Sequence, residues 1–244
     1  MSAGGLRYDR FRVNGYDEWL MRVGPEDGPA VLFVPPLFEE MNRTRALLAA
    51  VMRELANKGF CCTLPDLPGT GESERALQTC GWADWQEAVR AVDRPSLVAS
   101  FRGGALLDAV QANGWWRFAP VNGASLLRDL TRTEAAAGAS ARRHSKPRSA
   151  DTTSSSAPLD LARAERSWFA GYQISEALAD PLGQAQVEDV TPCRTVRLSS
   201  DSRPADAKLD GPALWRRSEP SSSNELTQLI ASDITDWARQ CGIC

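Results

Sequence analysis

The chain has 244 residues, 43% of them hydrophobic and 24% charged, with a formal net charge of −3. That length and composition suit one α/β domain with an ample core. The acidic balance argues against a nucleic-acid surface, and every apolar run falls far short of the about 20 residues a membrane-spanning helix needs.

The amino terminus, Met1 to Arg7, lacks the apolar core of a signal peptide, so a cytoplasmic protein is expected. Tyr8–Val13 and Glu18–Val23 read as an antiparallel pair joined at Asn14-Gly15, a hairpin signal. Ala30–Val34 is a continuous apolar run, as expected of a central strand buried on both faces. Arg43–Lys58 places Leu47, Leu48, Val51, Met52 and Leu55 on one helical face, with Glu39 and Glu40 on the loop before it. Phe60–Leu64 is the next strand, with Cys61 and Cys62 as small core residues.

A helix over Trp82–Val92 precedes the strand Ser96–Ala99, and a second helix is expected from Ala105. Trp115–Val121 reads as a strand, with Trp115 and Trp116 in the core. Strands alternating with helices imply a mostly parallel sheet with helices on both faces. The periodicity breaks between about residues 124 and 190. Leu126–Ala137 can be helical, Ala141–Arg148 is basic, Thr152–Ser156 is hydroxyl-rich, and Leu159–Ala179 is helical again. This block reads as a lid inserted into a single domain spanning residues 1–244, with a mobile loop at its centre. Thr195–Leu198 and, more weakly, Ala213–Trp215 are strand candidates. Asn224–Gln240 is a closing amphipathic helix with Asn224 as its N-cap.

Ser100-Phe101-Arg102-Gly103-Gly104 stands where a strand meets a turn, the setting of the nucleophile elbow G-x-S-x-G. Ser100 occupies the first glycine position, Gly104 the last, and Arg102 the position of the nucleophile. A guanidinium stays protonated and cannot attack an acyl carbon. Ser100, at a strand end, points away from the exposed tip. Asp201, after the strand Thr195–Leu198, stands at the position of a triad acid, where a polar turn would also place an aspartate. The histidine expected before the last helix is missing from Arg216–Ser223, and the single histidine, His144, precedes Asp201. Six cysteines include the C-x-x-C spacing Cys241-Gly242-Ile243-Cys244, but no second such pair accompanies it, so no metal or cofactor is expected.

Asp66-Leu67-Pro68-Gly69-Thr70-Gly71-Glu72-Ser73 is similar to the D-x-x-G-x-G-x-S loop of the α/β-hydrolase superfamily, which the chain resembles from end to end. Within it, Val34-Pro35-Pro36-Leu37-Phe38-Glu39-Glu40-Met41-Asn42-Arg43-Thr44-Arg45 resembles the P-P-F-x-E-E-M-N-K-x-R segment of the exosortase A system-associated hydrolases of the second type. The elbow, Phe118–Gly123 and Ala170–Ser175 support that resemblance, while Ser100 departs from its first elbow glycine. The resemblance implies an α/β-hydrolase fold and a protein linked to exopolysaccharide loci. It also implies a small-molecule ligand with an acyl or sugar part, with Leu37, Glu39, Glu40, Arg102 and Gly103 lining its site. Two functions follow. One is hydrolysis of an ester, thioester or acyl-sugar by water that Asp201 or a glutamate activates. The other is a non-catalytic, ligand-binding or accessory role. Arg102 either pairs with Glu39 or Glu40, or receives a carboxylate, phosphate or acidic sugar.

Overall fold

The computed structural model describes residues 5–92, 94–132, 168–169, 171–217 and 219–243, with backbone alone at 168–169. Its main sheet comprises β1 (Arg7–Val13), β2 (Tyr16–Val23), β3 (Ala30–Val34), β4 (Cys61–Pro65), β5 (Leu97–Phe101), β6 (Gly114–Phe118), β9 (Cys193–Leu198) and β10 (Ala207–Leu209). The order is β1-β2-β4-β3-β5-β6-β9-β10, antiparallel at β1–β2 and β2–β4 and parallel from β4 onward. Asn14 and Gly15, at φ 50° and 86°, make the tight turn between β1 and β2.

Helices α1 (Glu39–Asn57), α2 (Trp82–Arg90), α3 (helical over residues 123–132), α4 (Glu176–Gln184) and α5 (Asn224–Gln240) cover the sheet. One core joins α1 and α5 to Val31, Phe33, Cys62, Ala99, Phe101, Trp116 and Phe118. The opposite core joins α2, α3 and α4 to Leu32, Val34, Val98 and Trp115. Adjacent residues of β3, β5 and β6 thus enter different cores, as a two-residue period requires. Central strands buried on both faces are apolar throughout for this reason.

Several elements differ from the sequence expectation. Helix α1 begins at Glu39 rather than Arg43, which takes Glu39 and Glu40 into its first turn. Carboxylates there face the positive end of the helix dipole. The helix expected from Ala105 is absent: Arg102–Leu106 is a single 3-10 turn, and irregular backbone leads to β6. The competing interaction is at Asp108. Its buried carboxylate accepts from Arg117 Nε at 2.8 Å and Nη2 at 2.7 Å, and from the Ser100 hydroxyl at 2.6 Å. A continued helix would have to satisfy Arg117, on the adjacent strand β6, in another way.

β6 stops at Phe118 rather than Val121, because Ala119 takes φ 48° and leaves the strand. The eighth strand is Ala207–Leu209; Ala213–Trp215 instead feeds the 3-10 turn Leu214–Arg216. Strand β9 starts two residues earlier than expected, at Cys193. Part of Leu159–Ala179 is a small hairpin, β7 (Trp168–Phe169) with β8 (Tyr172–Gln173), before α4. The N-cap of α5 is Ser223, whose hydroxyl accepts from the Leu226 N–H, not Asn224. The basic and hydroxyl tracts at 141–156, His144 and Cys244 lie outside the described residues. Among the described residues, no helix is long and apolar enough to cross a membrane.

Asp108 and Arg117 are both buried, with side chains 1% and 7% exposed. Replacing Asp108 with Ala leaves a buried guanidinium without its partner and is expected to destabilise the protein by about 3–5 kcal/mol. The double replacement with Arg117→Met recovers most of that loss. Urea unfolding of the two variants and the wild type measures both quantities.

Candidate functional site

The turn after β5 keeps the strained, left-handed tip of a nucleophile elbow but not the α-helix that follows one. Arg102 has φ 55°, a left-handed conformation that costs a non-glycine residue energy. Gly104 lets the chain pass against β3: a Cβ there would lie 2.5 Å from the carbonyl oxygens of Val34 and Pro35. Among the described residues, four non-glycine residues have positive φ. Asn14 is in a hairpin; Phe38, Arg102 and Ala119 follow β3, β5 and β6 at the carboxyl end of the sheet. Ligand sites of open α/β sheets form at this edge.

The Arg102 side chain turns into the protein and is 7% exposed. Nε lies 3.2 and 3.1 Å from the two Glu40 carboxylate oxygens, and Nη2 donates to Oε1 at 2.9 Å. Nη1 donates to the Ala119 carbonyl at 3.1 Å, made available where β6 ends early. The guanidinium carbon stands 4.6 Å from the centre of the Trp215 ring, a cation–π contact. Trp215 is fixed in turn by Arg43, which donates to its carbonyl at 3.1 Å, and by edge contact with Phe118. Of the two glutamates, Glu40 is thus the partner. Glu39 instead faces Arg43 at 3.5 Å and accepts from the Tyr172 hydroxyl at 3.1 Å. Burial and the Glu39 carboxylate push the Tyr172 phenol up to about 12.

Asp201 is equally committed. Arg203 donates to it from Nε and, at 2.7 Å, from Nη2; its backbone N–H donates at 3.0 Å, and Arg197 donates at 3.2 Å. These bonds, those from Arg203 first, hold its carboxyl well below the usual carboxylate range. A carboxylate so held is a weak general base. Ser100 is fully buried and donates to Asp108, so it does not face the turn's tip. After β10, where a triad histidine would stand, the side chain over position 102 belongs to Trp215.

Two clefts flank the Arg102–Trp215 contact. The first, about 420 Å³, is lined by Leu37, Glu39, Glu40, Arg102, Leu126 and Trp215, among others. The second, about 550 Å³, also includes Arg102 and Trp215 and extends between α3 and the Asp201 loop. Gly103 is not part of either wall; it is buried beneath Leu37, and a Cβ on it would lie 3.1 Å from that side chain. The Asp66–Ser73 loop has a structural basis. Asp66 accepts from the Glu72 N–H at 3.0 Å, Ser73 Oγ accepts from the Gly69 N–H at 2.9 Å, and a Cβ on Gly71 would meet the Asp66 carboxylate at 2.3 Å. Among the described residues, no cluster of three potential metal-ligating side chains forms.

Residue types alone do not expose Trp215, the Ala119 carbonyl or the Asp108–Arg117 pair as parts of this region. The usable signal was Arg117 itself: an arginine within an otherwise buried strand demands a buried carboxylate nearby.

No family model and no curated protein matches the chain. Solved structures do. The thioesterase domain from the curacin biosynthetic pathway aligns over 95% of this chain and 100% of its own, at 16% identity and a TM-score of 0.54. Mouse alpha/beta hydrolase domain-containing protein 10 aligns over 96% and 99%, at 12% and 0.57. A mutant potato epoxide hydrolase aligns over 97% and 100%, at 17% and 0.57. A mutant Vigna radiata epoxide hydrolase matches only in part, over 48% of this chain and 40% of its own. With the sheet order given above, the full-length matches establish an α/β-hydrolase fold.

Two outcomes follow from the site. Arg102→Ala strands the Glu40 carboxylate, 14% exposed, and is expected to cost about 3–5 kcal/mol of unfolding free energy. Adding Glu40→Ala recovers most of it, as a double-mutant cycle by chemical denaturation measures. Because the folded Asp201 pKa is depressed, its contribution is complete above the unfolded value of about 4 and lost as pH falls through the folded one. Asp201→Asn therefore lowers the melting temperature at pH 7, and the gap to wild type narrows below about pH 4.

Proposed function

We propose that this chain is a protein of the exosortase-associated type whose cleft holds a small acyl- or sugar-containing ligand without serine-triad hydrolysis. The observation that carries this reading is the Arg102 clamp. The position of the nucleophile holds a cation bonded to Glu40 and the Ala119 carbonyl and covered by Trp215. No neutral imidazole or free carboxylate adjoins it among the described residues, so neither a nucleophile nor its base is assembled there. The cleft lined by Leu37, Glu40 and Trp215 offers apolar and polar walls of the kind that hold small ligands. The described parts of the expected lid support this reading: α3 supplies Leu126 to the wall, and Tyr172 ties the β7–β8 hairpin to Glu39 and Asn42 of α1.

The second reading, hydrolysis by an activated water, is favoured only by the fold, which hosts many chemistries. Of its proposed bases, Asp201 is held by two arginines and Glu40 is paired with Arg102. A panel of aryl esters and acyl-thioesters, with a fluorophosphonate probe, separates the two. The expected result is no turnover above buffer and no labelled serine. Turnover that survives purification, or labelling removed by Ser100→Ala, would show that a hydrolytic site exists.

A further inference from the structure

The second cleft carries more positive charge than its own carboxylates balance. Among the described residues that line it, Arg102, Arg128, Arg132, Arg203 and Arg216 face only Asp129 and Asp201, in a chain whose net charge is −3. The bonding is as uneven as the count. Arg203 is held by Asp201, and Arg102 by Glu40. Among the described residues the Arg128 side chain donates only to the neutral Ser125 hydroxyl, at 2.9 Å, and Arg132 stands 3.8 Å from Asp129 with both side chains largely in solvent. The Arg216 side chain makes no hydrogen bond or ion pair among the described residues, its only bond being from the backbone N–H to the Ala213 carbonyl. Trp215, 7% exposed, lines the same cleft, and its buried indole N–H has no hydrogen-bond partner among the described residues. The positive field reaches into the protein. Burial first, and then the Arg203 and Arg102 cations despite the opposing pull of Asp201, depress the Arg197 guanidinium below its ordinary value.

We propose that this second cleft is an anion site for a ligand bearing two acidic groups, of the class of a sugar carrying both a phosphate and a carboxylate. Arg128 and Arg216 are the principal charge contacts, and Arg132 and Trp215 assist. This rests on the ligand-binding reading above and deepens it: the charged end of the ligand lies beyond the Arg102–Trp215 contact, and Arg102 itself is structural. Guanidinium groups suit such a ligand because their planar donors match the oxygen pairs of phosphate and carboxylate. The unpaired guanidinium groups gain their counter-charge when the ligand enters.

Calorimetric titration of the full chain with glucose, glucose 1-phosphate and glucuronic acid 1-phosphate tests the proposal. Affinity is expected to rise in that order and to fall as potassium chloride is added. Arg128→Glu combined with Arg216→Glu is expected to weaken glucuronic acid 1-phosphate at least about 10-fold, while Arg90→Glu, on α2 and outside the cleft, leaves it unchanged. Melting curves confirm that both variants fold. Glucose binding as tightly as its charged analogues would overturn the proposal and leave the ligand-binding reading standing. So would loss of binding only when Arg142, Arg143, Lys146 and Arg148 are neutralised. No binding by any of the three sugars would overturn the proposal for this ligand class. Serine labelling in the ester panel would remove the non-hydrolytic part of the earlier reading, while the ligand-binding part on which the anion site rests is tested by the titration.

Discussion

The carboxyl edge of this sheet is organised around one buried ion pair. Arg102 sits at the tip of a strained turn, where a guanidinium must find compensation or leave the protein. Glu40 provides it across two carboxylate oxygens, the Ala119 carbonyl accepts from Nη1, and the Trp215 ring covers the cation. Each partner comes from a different element: α1, the end of β6, and the 3-10 turn before α5. The pair thereby joins three elements at the carboxyl edge of the sheet.

The shortened elbow helix belongs to the same account. A full helix starting at the turn would direct the positive end of its dipole at Arg102. A 3-10 turn of five residues carries much less of that field. Meanwhile α1 starts four residues early and brings Glu40, in its own first turn, to the guanidinium. Loss of one helix start and extension of another therefore both favour a cation at position 102. The aromatic packing points the same way. Phe33 stacks on Phe101, Phe101 meets Phe118, and Phe118 meets the edge of Trp215, so the core runs without interruption to the face that covers Arg102.

Much of the fold was legible because it depends on local periodicity. The apolar runs at Ala30–Val34 and Leu97–Ala99 and the Asn14-Gly15 turn needed no knowledge of neighbours. The elements misread were those decided at a distance. Ala105–Val110 has a helical pattern, but Asp108 is drawn to Arg117 on the next strand. Ala207–Leu209 is too short and too mixed to announce a strand, and it forms because β9 offers a parallel edge. At the site, the absence of a serine and a histidine in their expected places was plain in the residues themselves. The choice of Glu40 over Glu39 was not, because it turns on where α1 begins. Trp215 was equally hidden, since its role comes from a 3-10 turn placed over the elbow.

The geometry at position 102 is tested most directly by a crystal structure of the full chain at neutral pH, resolved well enough to place the guanidinium. Arg102 is expected within hydrogen-bond distance of both Glu40 carboxylate oxygens and the Ala119 carbonyl, beneath the Trp215 ring. An Arg102 side chain extended into solvent, with Glu40 bonded elsewhere and Trp215 turned away, would contradict it.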